Sequence, residues 1–208
     1  MEFMTDPMGI ENRSMDLIRP YLEKLGLSEA ERLVYSRMIH AAGDPDYANH
    51  VALHPQAIEA ALAAIEGGAS IYCDVEMVRT GINRRQLAKF GGEVHCLIGD
   101  ETVAVEAKKL GITRSMVAMR TFCAKLNGSV VAIGNAPTAL FEVLRLMREE
   151  GVRPACIIGI PVGFVGAAES KEALIEQSPV PYITVRGTKG GSPIAASVVN
   201  AIQYLKGR

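Results

Sequence analysis

The apolar positions change period most sharply between Ser129 and Leu144. Val130 to Ile133 is a short, mostly β-branched run that reads as a buried strand. Gly134-Asn135-Ala136-Pro137 is a turn, with proline where a helix takes its first residue. Leu140, Val143, Leu144 and Met147 then recur at helical spacing. The same change of period repeats along the chain. Strands are predicted at Ser70–Cys73, Val94–Ile98, Val130–Ile133, Ala155–Ile160 and Tyr182–Val185. Helices are predicted at Thr102–Leu110, from Thr113 through Phe122, from Pro137 to about Glu150, at Ala168–Glu176 and at Ile194–Lys206. Asp74–Arg79 reads as a short helix or turn, and Gly81–Gly92 as a polar, basic surface excursion. This alternation defines an α/β fold: an open, mainly parallel five-stranded sheet with helices on both faces.

Helices also precede the first strand. Ile10, Leu17, Ile18, Tyr21, Leu22 and Leu25 suggest one over Gly9–Leu25, with Pro20 expected to kink or break it. Ser28-x-x-Glu31 is a capping box that opens a second helix, which runs to about Ala42 with His40 near its end. Gly43-Asp44-Pro45-Asp46 is a turn, and Tyr47–Leu53 follows neither period. His54-Pro55 opens a third helix, closed by Gly67-Gly68. With no linker or repeat, residues 1–208 read as one domain, and residues 1–8 as a disordered tail.

Composition narrows the function. Of 208 residues, 49% are hydrophobic and 22% charged, and the net charge is −1, which gives no reason to expect a nucleic-acid partner. Cys73, Cys96, Cys123 and Cys156 form no C-x-x-C pair, so a zinc site of the usual spacing is not expected. Cysteines in apolar runs point to a reducing, cytoplasmic setting. The N-terminus has no signal-peptide pattern and no apolar run is long enough to span a bilayer.

Candidate site residues cluster at predicted strand ends, which lie on one side of a parallel sheet. They are Asp74, Gly134-Asn135, the 161–166 loop with Gly163 and Gly166, and the 186–192 loop with Arg186 and Lys189. Arg114, at a helix start, adds a cation. Glycines admit a broad ligand face, while arginines and helix N-termini receive carboxylates or phosphates. A large, anionic, partly apolar ligand fits this set. An ordinary strand–helix turn and flexible glycine loops account for the same residues without a ligand. Neither the P-loop order nor the dinucleotide fingerprint is present. His40 is the candidate for acid–base work, with Arg37 one turn earlier on the same face. Asp46, His50 and His54 suggest a metal triad, but Pro55 and the preceding turn interrupt the helix it needs, so no metal is expected; with both nucleotide motifs missing, no cofactor is expected.

Six segments in order resemble the precorrin-8X methylmutase family of corrin-ring biosynthesis. They are Arg37–Gly43, Cys73–Val78 with Gly81-Ile82, Thr113-Arg114-Ser115, Gly134–Leu140, Pro161–Lys171, and Arg186-Gly187 with Gly190-Gly191-Ser192. The resemblance implies an isomerase that moves a methyl group from C11 to C12 of precorrin-8 or its cobalt form. It implies a homodimer that binds the tetrapyrrole near the subunit interface. It places the family's proton-donating histidine on His40, and ring or carboxylate contacts on Arg114 and Ser14. The N-terminal helix departs from the pattern with Met15 beside Ser14, where an aromatic residue is commoner. A non-catalytic tetrapyrrole carrier and a phosphate- or nucleotide-binding α/β enzyme are the alternatives.

Overall fold

Strand residues that face two apolar clusters in alternation build the sheet in the computed structural model, which describes residues 3–206. β2 (Ile71–Cys73), β4 (Val130–Ile133), β5 (Cys156–Gly159) and β6 (Tyr182–Val185) are its interior strands, with β3 (Val94–Cys96) parallel to β2 at one edge. Ile71, Cys73, Val130, Ala132, Cys156, Ile158, Ile183 and Val185 face one apolar cluster. Tyr72, Val131, Ile133 and Ile157 face a second on the other side. Helices cover both faces, as a sheet of this kind requires.

The first face is covered by α1 (Pro7–Leu22), α2 (Glu29–Ala42), α3 (Ala57–Glu66), α4 (Glu76–Gly81), α5 (Arg84–Ala88) and α10 (Ser192–Gln203). The second is covered by α6 (Glu101–Leu110), α7 (Arg114–Phe122), α8 (Pro137–Glu149) and α9 (Ala167–Gln177). Local chemistry sets their ends. Ser28 and Glu31 form the reciprocal capping box of α2, and Thr113 accepts from Met116 N–H at the start of α7. Gly43 closes α2 in the left-handed conformation.

The sheet has six strands where five are predicted. β1 (Val51–Leu53) pairs antiparallel with β6, giving the order β1-β6-β5-β4-β2-β3. It lies in the stretch that follows neither period, because a three-residue, half-buried edge strand is too short to show alternation. Three further expectations change. Pro20 does not break α1: it sits in the last turn, and the helix ends at Leu22. Of the predicted tail, Pro7 and Met8 belong to α1, capped by Asp6, while Met1 and Glu2 lie outside the described residues. The 81–92 excursion is anchored, since Ile82 and Leu87 are buried while Arg84, Arg85 and Lys89 face water.

Chain direction places the site. β2 connects onward to β3 on one side, while β4 connects to β5 on the other. Adjacent strands whose connections leave in opposite directions open a crevice at their C-terminal ends, where ligands of open α/β sheets bind.

Candidate active site

Asp74 follows β2 and fills that crevice. Its fully buried carboxylate accepts hydrogen bonds from the N–H groups of Gly134 (2.9 Å), Asn135 (2.9 Å) and Ala136 (2.7 Å). Those donors are the turn into α8, so the protein's own anion occupies the place an external one would take. Burial pushes the carboxyl of Asp74 up from its usual range, against the downward pull of the three N–H bonds. Gly134 is small for packing rather than for a ligand: a Cβ there would stand 2.5 Å from Val78 Cγ2 and 2.8 Å from Ser192 Cα. Asp74 and Gly134, expected as ligand contacts, thus lock β2, β4 and the start of α10 together. The Asn135 side chain remains exposed.

The β5–α9 and β6–α10 loops continue the edge. Gly163 N–H donates to Thr188 O (3.2 Å) and Gly191 N–H to Ile160 O (3.0 Å). Gly163 (φ 139°) and Gly166 (φ 79°) hold backbone conformations that L side chains rarely adopt. Between them Phe164 and Val165 stand 93% and 89% exposed. From below, Lys171 Nζ donates to Lys189 O at 2.6 Å. Lys171 is completely buried, and burial pulls its ammonium down to about 8.

The Lys189 side chain reaches the segment after α2, bonding Asp44 (2.7 Å) and Asp46 (3.1 Å). Asn49, His50 and Lys189 all bond Asp46 and hold it well below the usual carboxylate range. The Lys189 charge is therefore spent inside the protein, which weakens the loop as a phosphate cradle. The same contact ties the end of α2, with His40 in its last turn, to the edge. His40 is exposed, and its ring has no hydrogen-bond or ion-pair partner among the described residues.

The arginines divide in the same way. Arg37 pairs with Glu11 on α1 and Arg186 with Glu172 on α9. Arg114 opens α7, exposed and without an ion pair among the described residues. The Thr113–Thr138 hydroxyl bond (2.9 Å) sets that helix start beside the start of α8, on the same edge. Ser14 is not brought to this group. Its hydroxyl donates to Ile10 O within α1, one turn from Glu11.

The histidine triad has no common center. His50 Nε2 bonds Asp46 Oδ2 (2.8 Å), while His54 Nδ1 accepts from Gln56 N–H (3.2 Å). Among the described residues no group of three His, Cys, Asp or Glu is placed to hold a metal. A cavity of about 550 Å³ opens between α1 and α2, walled by Met15, Ile18, Leu22, Leu33 and Leu205. It contains none of the edge residues, and the uncommitted His40 and Arg114 are not among its walls.

Two features of the edge escape the sequence reading. Phe164 and Val165 are large apolar residues inside a Gly-x-x-Gly loop, a signal that was present in the pattern. Lys171 gives no such signal, because a lysine in an amphipathic helix reads as surface.

Fold and edge together define an α/β enzyme with a broad, partly apolar, cation-bearing face at the strand ends. The profile of the family described as precorrin-8X methylmutase matches residues 9–205. A cobalt-precorrin-8 methylmutase of Leptospira interrogans is 40% identical, covering 96% of this chain and 94% of that protein. A precorrin-8X methylmutase of Sinorhizobium is 43% identical, covering 97% and 96%. The solved precorrin-8X methyl mutase of Thermus thermophilus superposes with a TM-score of 0.87 at 38% identity, covering 95% of each chain. The chain belongs to the precorrin-8X methylmutase family, whose members are isomerases of cobalamin biosynthesis.

Proposed function

We propose that this protein moves a methyl group from C11 to C12 of precorrin-8 or its cobalt form, at the strand-end edge, with His40 as the proton donor. The uncommitted ring of His40 carries this reading. Most other charged groups of the edge are bonded within the protein, whereas a general acid must have a nitrogen within reach of its substrate. Protonation at the ring nitrogen or the neighboring carbon system would draw electrons from the C11–C12 region and favor migration. An intramolecular shift needs positioning and one placed proton. Arg114 would receive a peripheral carboxylate. Asn135, Gly163, Gly166 and Arg186 would border the ring, with Arg37 holding α1 against α2.

We further propose a homodimer in which the partner closes the open edge. Leu17, Tyr21 and Leu25 form an exposed stripe at four-residue spacing along α1 and its extension. Ser14, on the same helix, would contact ligand only within such a pair. Four free cysteines, two of them buried, support a cytoplasmic setting.

The test is visible absorbance of the purified protein with precorrin-8 and with its cobalt form. Appearance of the methyl-shifted chromophore at substoichiometric enzyme supports the mutase. A bound spectrum without conversion of either form would make the protein a carrier. No change with either would end the tetrapyrrole reading.

A further inference from the structure

We propose that Phe164 is the platform on which the apolar face of the tetrapyrrole ring rests. This deepens the edge reading above and depends on it. Phe164 is 93% exposed, more than any other large hydrophobic side chain among the described residues, and Val165 follows at 89%. Floppiness does not explain that exposure, because the loop is pinned on either side of Phe164 and Val165. Gly163 N–H holds Thr188 O, Gly191 N–H holds Ile160 O, and Ser170 N–H returns to Gly166 O at 2.9 Å. A side chain on Gly166 would touch Pro137, so the loop also rests on the start of α8. A fixed backbone that holds an aromatic ring in water gives up the gain of burying it, and a ligand restores that gain.

The surroundings select the ligand. Arg114 and the Asn135 side chain are polar and exposed on the same edge, and Met77, 68% exposed, lies in the first turn of α4 just after Asp74. Apolar side chains beside a free cation suit a flat conjugated ring fringed with carboxylates. The apolar stripe assigned above to the subunit contact, Leu17, Tyr21 and Leu25, belongs to α1 and its extension and not to this loop.

The experiment titrates hydrogenobyrinic acid, the metal-free product, into wild type, Phe164→Ala, Phe164→Trp and Arg114→Ala, following the visible spectrum, with melting and sedimentation of each. Phe164→Ala is expected to bind the product about 10- to 100-fold more weakly with no shift in melting, and in turnover of precorrin-8 to show the loss on KM rather than kcat. Phe164→Trp, which keeps a π-face, is expected to restore affinity. Wild-type affinity in Phe164→Ala, while Arg114→Ala binds weakly, would overturn the platform and leave the edge reading standing. Full affinity in both variants would overturn both. Conversion of Phe164→Ala to a smaller species would assign the residue to the subunit interface and overturn the platform.

Discussion

The strand-end edge has two halves that treat polar groups in opposite ways. At the β2–β4 crevice the Asp74 carboxylate meets three N–H donors, and Gly134 lets Val78 and the α10 start pack against it. Toward β5, β6 and the end of α2, the His40 ring is free among the described residues and Phe164 stands in water. The first half is closed by the protein's own groups; the second leaves polar and apolar groups open, and the proposed function puts the ligand there. A crevice at a topological switch point is a place where ligands can bind, and here the protein has used part of it as a joint.

That contrast can be broken from either side. Asp74→Ala should have the largest effect on folding, leaving three buried donors unpaired beside a new void. A loss of about 3–5 kcal/mol in urea unfolding is expected; a change below ~1 kcal/mol would remove Asp74 as the joint. Gly134→Ala should follow at about 1–3 kcal/mol, because its methyl collides with Val78 and the Ser192 backbone.

Lys171 offers a pH test on the other half, where its buried ammonium holds Lys189 O. Its folded value lies near 8 and its unfolded value near 10.5, so the unfolded chain binds more protons between them. Stability should therefore rise with pH across that window, by at most ~1.4 kcal/mol per unit, and Lys171→Met should flatten the rise. Beside the start of α8, Arg114→Ala should raise KM about tenfold with no change in melting. Lys189→Ala should do least, because the clamp it forms with Asp44 and Asp46 is exposed and screened by salt.

The local features were readable in the residues, and the long-range ones were not. The β4–α8 unit, the capping box at Ser28 and the left-handed stop at Gly43 depend on neighbors within a few positions. β1 depends on β6, more than a hundred residues away, and shows no period of its own. Asp74 reads as a ligand carboxylate until its partners, about sixty residues on, are seen. Arg37 and Arg186 likewise read as free cations until Glu11 and Glu172 are placed beside them. Periodicity shows which face of an element is buried, but it does not show which polar groups find partners. That partnering separates the joint from the site.

The most direct test of the account is a single-turnover absorbance measurement on His40→Ala with precorrin-8. The account predicts that the variant binds the tetrapyrrole, melts like wild type, and converts it ~100- to 10,000-fold more slowly. Conversion at the wild-type rate would contradict it, and the proton donor would have to be sought elsewhere on the edge.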